Sequence, residues 1–131
     1  MKFYIDGPFE KSYEIANMYE KILFANHELV NNPKDKSIES IISYKKNQSV
    51  EINSIMDCNV FIHVSDSEFY NDTFYLGFAI CKYITKGNPF IYVIGNGNSE
   101  RYSHPVVNRI KEINLINSLE KILKDFSNSK D

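Results

Sequence analysis

Residues Asn59–Ser65 read Asn-Val-Phe-Ile-His-Val-Ser. A half-exposed strand alternates apolar and polar residues, whereas this run is β-branched or aromatic almost throughout, so it reads as a strand buried on both faces, as in the centre of a parallel sheet. Pro89–Ile94 (Pro-Phe-Ile-Tyr-Val-Ile) is a second run of the same kind. Between them, Phe74–Thr85 reads as a helix, with Asp72 or Thr73 available to cap its first turn. Two buried strands joined through a helix make a βαβ unit, and that unit implies parallel pairing with a right-handed crossover.

The same alternation extends outward. Lys2–Asp6 is β-prone and is stopped by Gly7-Pro8, because proline has no N–H for a ladder. From Lys11 to Ala25, the residues Ile15, Met18, Tyr19, Ile22 and Leu23 recur at helical spacing. Glu28–Asn31 is a brief second strand closed by Asn32-Pro33. Between Ser37 and Met56 a helical stripe (Ile38, Ile41, Ile42, Ile52, Ile55, Met56) is interrupted at 45–49, giving one helix or two. His104–Ile113 holds a short fifth strand, and Leu115, Leu119, Ile122, Leu123 and Phe126 stripe a final helix.

The length of 131 residues suits one domain, taken here as 1–131, large enough to bury a core without disulfides or metals. Apolar residues at 43% and charged residues at 24% exclude a disordered chain. Fifteen Lys and Arg against 17 Asp and Glu give a formal charge of −2, with no global field to draw in a polyanion, so nucleic acid is not an expected partner. No apolar run nears the ~18 residues that would span a bilayer. Charge and Gly-Pro follow the N-terminal methionine too soon for a secretory leader, so a cytoplasmic location and no membrane partner are expected. Cys58 and Cys81 have no CxxC spacing or paired histidines and read as reduced, buried core residues. No metal or cofactor is expected.

Ligands of parallel α/β sheets bind beyond the carboxyl ends of the strands. That crevice is expected to be lined by Asp6, Gly7, Pro8 and Phe9, by Ser65–Asn71 (with Asp66 and Phe69), and by Gly95–Ser99 (with Asn96). Gly7 would let a ligand approach the backbone, or simply end the strand. Gly95-Asn96-Gly97-Asn98 lacks the third glycine, the Lys-Ser/Thr and the directly following helix of a phosphate cradle, so it reads as a loop or as a lid of amide donors. Phe69, Asp72 and Tyr75 belong to an aromatic stretch whose rings suit stacking on a base. Arg101 is a candidate anion clamp. His27, His63 and His104 lie on different elements with no nucleophile at motif spacing, and His63 reads as a hydrogen-bonded core histidine.

Tyr4-Ile5-Asp6-Gly7-Pro8-Phe9, Tyr75-Leu76-Gly77-Phe78-Ala79 and Gly87-Asn88-Pro89, in this order and spacing, resemble the nucleoside 2-deoxyribosyltransferase family over roughly Met1–Phe126. The resemblance implies a flavodoxin/Rossmann-like α/β three-layer sandwich with a four- to five-stranded parallel sheet. It also implies a pocket for a nucleoside or nucleotide, and a homodimer or larger homo-oligomer, with the helix at Phe74–Thr85 a candidate contact.

The departures from the family shape the functional reading. Its Ala-Gly-Pro-Phe carries Asp6 in place of alanine, the aspartate before its third strand is Asn59, and its nucleophilic glutamate, which attacks the sugar's anomeric carbon, is Tyr75. A phenol is mostly neutral at neutral pH and makes a poor substitute for a carboxylate. The expectation is therefore a noncatalytic pocket that holds a nucleoside or nucleotide, in its sharpest form a phage-type sponge for a nucleotide-derived signal. The alternative is an active deoxyribosyltransferase or N-glycosidase with a carboxylate relocated to Asp6, Asp66, Glu68 or Asp72.

Overall fold

The computed structural model describes residues 1–8, 11–30, 44–65, 73–95, 102–111 and 114–127, with 44–49 described by backbone alone. Five strands, β1 (Lys2–Asp6), β2 (Glu28–Leu29), β3 (Val60–Val64), β4 (Phe90–Ile94) and β5 (Val107–Ile110), form one sheet in the order β2-β1-β3-β4-β5. Every pairing is parallel. Four helices are described: α1 (Ser12–Phe24), α2 (Tyr44–Asp57), α3 (Phe74–Lys86) and α4 (Leu115–Ser127).

The side-chain period of two along each strand divides the core into two layers. Phe3 and Ile5, Val60, Ile62 and Val64, and Tyr92 and Ile94 pack with Ile15, Met18 and Ile22 of α1 and with Leu119, Ile122 and Phe126 of α4. On the other face, Tyr4, Phe61, Ile91 and Val93 pack with Ile55 of α2 and with Leu76 and Ala79 of α3. The chain moves one way along the sheet from β1 to β2 and the other way from β3 to β4, so a single crossover hand puts α1 and α3 on opposite faces. The result is the expected three-layer α/β sandwich, and the strand order reverses between β1 and β3.

β3 is buried at all five positions, as its unbroken apolar run requires. The second strand is shorter than expected, ending at Leu29 and pairing only two residues with β1. The polar run at 45–49 lies inside the first turns of α2 and does not divide it; the earlier part of that expected stripe lies outside the described residues. Leu23 and Met56, assigned to buried stripes, are exposed instead, because each falls one position off the face that Ile22 and Ile55 present to the sheet. Thr73 is the N-cap of α3 but makes no side-chain capping bond, and Asp72, the other candidate, lies outside the described residues. Gly87, at φ +80°, ends α3 and returns its N–H to the Tyr83 carbonyl at 2.8 Å.

Both cysteines are free, but only Cys58 is buried. Cys81 faces outward because α3 directs Leu76, Ala79 and the stem of Lys82 to the sheet. Lys82 donates from Nζ to the carbonyls of Cys58 at 3.2 Å and Ile55 at 3.4 Å, at the end of α2, where the last carbonyls of a helix lack a following turn of N–H donors. Burial pushes the Cys58 thiol up to about 12.

Candidate functional site

The carboxyl ends of β1, β3 and β4 form one rim. Asp6 is in register with His63 and Val64 with Ile94, while the Ser65 N–H and Oγ both donate to the Ile94 carbonyl, at 2.8 and 2.9 Å. Asp6, Gly7, Pro8, Ser65 and Gly95 are thereby brought together, and Tyr75 opens α3 from the same end of β3. Phe9, Asp66, Phe69, Asp72, Asn96 and Arg101 lie outside the described residues.

Gly95 has φ +99°, and a Cβ there would lie 2.7 Å from the Ser65 carbonyl oxygen, so the close crossing of the two strand ends requires glycine. Gly7 is accounted for by packing: the space a Cβ would need is taken by Ile15 Cδ1 at 2.7 Å and Val64 Cβ at 3.1 Å. Its neighbour Pro8 is buried and accepts the Lys11 N–H at 3.0 Å, turning the chain into α1.

On the α2/α3 face of this rim the polar side chains form a connected set. His63 Nδ1 lies 2.8 Å from Asp6 Oδ2. A carboxylate only accepts, so Nδ1 carries the hydrogen of this bond, and Nε2 lies 3.5 Å from the Tyr102 hydroxyl. Arg109 sits over the Tyr102 ring, its Cζ 5.4 Å from the centroid. The same guanidinium donates to the carbonyls of Val93 (2.9 Å), Gly95 (2.9 Å) and Ile110 (3.3 Å), and burial lowers its pKa. Two residues back along β1, the Tyr4 hydroxyl donates to Glu51 Oε2 of α2. Burial first, and then the charge of Glu51, raise the Tyr4 pKa far above its ordinary value. Asp6 and Tyr75 add smaller electrostatic pushes on the Tyr4 phenol in the same direction.

Glu51, Tyr102 and Arg109 carry no sequence motif, and only the folded sheet brings them to the side of the sheet that bears Tyr4, Asp6 and His63. Asn59 changes its meaning. Its Oδ1 accepts the Lys2 N–H at 2.8 Å, while its own N–H donates to the Lys2 carbonyl at 2.7 Å. It pins the opposite rim of the sheet, about 20 Å from Ser65 at the rise of an extended strand, so an amide at this position does not affect chemistry in the crevice. His27, near the same end, approaches the N-terminal amine through Nδ1 at 3.2 Å, and His104 Nδ1 accepts the Val106 N–H at 3.3 Å. An open cleft of about 450 Å³ between β2 and α2, bordered by Lys2, Glu28, Asn53, Ser54 and Asp57, also lies away from the strand carboxyl ends. Among the described residues no group of three or more His, Cys, Asp or Glu is arranged to hold a metal, and no helix is long and apolar enough to cross a membrane.

No protein-family model matches the sequence, and no curated protein matches it. Among solved structures, the chain is similar to the CMP N-glycosidase BcmB of Clostridium botulinum, with a TM-score of 0.57 and 18% identity, over 96% of this chain and 98% of that one. At this identity the likeness establishes the shared α/β fold over nearly the full length of both chains.

Proposed function

We propose that the crevice at the carboxyl ends of β1, β3 and β4 binds a nucleoside or nucleotide and holds it without breaking its glycosidic bond. The observation that carries this reading is Tyr75: a phenol opens α3 where the family resemblance calls for the glutamate that forms the covalent sugar adduct. The full-length likeness to a CMP N-glycosidase supports a nucleoside-bearing ligand. In its finer form the protein sequesters a nucleotide-derived signal, as a phage-type sponge would. Calorimetry with a panel of nucleosides, nucleotides and cyclic nucleotides, with chromatography for free base, tests it. Saturable binding with no base released is expected, and stoichiometric or catalytic base release overturns it.

One observation favours a second reading, an N-glycosidase with a relocated carboxylate. Of the four acids proposed for that role only Asp6 is described, and one of its oxygens is engaged by His63. Glu51, supported by the Tyr4 hydroxyl, is a further acid on the same face. In such an enzyme a carboxylate oxygen bonds to C1′ as the C–N bond breaks, and water then cleaves the sugar ester. Base release by the native chain, lost in both Glu51→Gln and Asp6→Asn, would establish it.

A further inference from the structure

Asp6 replaces the alanine of the family's Ala-Gly-Pro-Phe with a carboxylate, and the fold removes most of that carboxylate from water: its side chain is 12% exposed. Oδ2 is paired with His63, but Oδ1 has no hydrogen bond among the described residues. Such an acceptor, drawn out of water and half satisfied, calls for a donor. His63 cannot move to supply one. Its ring is 2% exposed, bonded through Nδ1 to Asp6, within reach of Tyr102 at Nε2, and packed on the Tyr102 ring at 5.5 Å between centroids. The imidazole therefore fixes the carboxylate plane without itself being open to a ligand.

We propose that Asp6 is the sugar-recognition residue of this crevice, accepting the ribose 2′-hydroxyl at Oδ1, with His63 as its positioning residue. The inference rests on the nucleoside-binding reading and sharpens it. Of the three parts of a nucleotide, the phosphate is anionic and accepts only, so a carboxylate repels it. The base presents donors only at particular edges. The ribose offers neutral O–H donors side by side, and a hydrogen bond to a charged acceptor is strong enough for loss of one hydroxyl to be read as about a 10- to 100-fold change in affinity.

The test is titration calorimetry of the full chain with CMP, 2′-deoxy-CMP and UMP. CMP and UMP are expected to bind alike, and 2′-deoxy-CMP about 10- to 100-fold more weakly. In Asp6→Asn the single amide oxygen stays with His63 and an N–H turns to the crevice, so the ribose preference is lost. His63→Asn keeps a donor near the place of Nδ1 and retains the preference, whereas His63→Phe loses it. If His63→Phe does not fold, Asp6→Asn and His63→Asn decide the matter. Equal affinity for CMP and 2′-deoxy-CMP in the native chain, a preference that survives Asp6→Asn, or discrimination between CMP and UMP instead would overturn the sugar assignment while leaving nucleotide binding intact. Failure of all three to bind the native chain would overturn both.

Discussion

The Tyr4 hydroxyl donates to the Glu51 carboxylate, tying the centre of the sheet to α2 across 47 residues of chain. The Tyr4 ring stacks on Phe61 of β3, with 5.4 Å between centroids and 6° between planes, so the phenol has little freedom to seek another acceptor. Removing the hydroxyl takes one charged-acceptor hydrogen bond from a partly buried pair. Tyr4→Phe is therefore expected to cost about 1.5–3 kcal/mol, the range for hydrogen bonds to charged groups. Urea unfolding of Tyr4→Phe, Glu51→Gln and the double variant checks it: the double variant should lose less than the sum of the two singles, and strict additivity would show that the pair is not coupled.

The same phenol gives stability a pH dependence on the alkaline side. Tyr4 and Tyr92 are both raised by burial, and each phenol is also bonded to a carboxylate, Glu51 and Asp125 respectively; Cys58 is raised to about 12 by burial. A group whose folded pKa is raised holds its proton when the unfolded chain releases it. Its stabilisation is complete below the unfolded pKa and is lost as pH rises toward the folded one. Thermal midpoints should hold steady from about neutral pH to about pH 8.5, begin to fall as unfolded Cys58 ionises, and fall faster above about pH 10, where the tyrosines join. Tyr4→Phe should flatten the fall above pH 10, and Cys58→Ala its onset. An unchanged profile in both variants would refute the assignment.

The strands were legible because their reading needs only neighbours in the chain. Val60–Val64 and Phe90–Ile94 are apolar at nearly every position, and no exposed element tolerates that. The crevice was legible as a place, since strand ends in a parallel sheet share a rim. Its chemistry was not. Asp6 and His63 are 57 residues apart and meet only because β1 pairs with β3 in a register that sets them side by side. Glu51 lies on a helix whose polar first turns looked like an interruption, and Asn59, suggestive by sequence position, belongs to the far rim. Arg109 carries no sequence signal, because its donors go to backbone carbonyls, which leave no sequence pattern.

The two crevice glycines should respond differently to a methyl group. Gly95→Ala puts a Cβ against the Ser65 carbonyl in a backbone region that side chains rarely adopt, so a loss of about 1–3 kcal/mol from strain alone is expected. Gly7→Ala is free of that strain, and its nearest obstacle is the movable end of Ile15. Ile15→Val removes the Cδ1 that the new methyl would meet, so it should partly restore Gly7→Ala and leave Gly95→Ala unimproved. Melting temperatures of the three single and two double variants are the measurement, and equal rescue of both glycines would contradict these contacts.

We propose finally that α3 is the contact of a homodimer. The helix is apolar almost all round, which is unusual outside a buried setting. Its outer side carries Phe74 and Ile84, 58% and 66% exposed, with Gly77 and Cys81 between them. Positions 74 and 84 stand equally far either side of 79, and so do 77 and 81. A two-fold axis near position 79 would set Phe74 of one copy against Ile84 of the other over about 15 Å of helix, with the small residues at the crossing where two helices come closest. A stable interface removes about 800 Å² per partner, so the stripe forms its centre and neighbouring surface its rim. The native chain should sediment as a dimer, and Phe74→Lys or Ile84→Lys should weaken association by at least about 30-fold, as expected for a central apolar anchor. Each variant should keep the native circular-dichroism spectrum, because neither side chain contributes to the buried core. A native chain that is monomeric at every concentration measured, or a dimer indifferent to both lysines, would rule out this face.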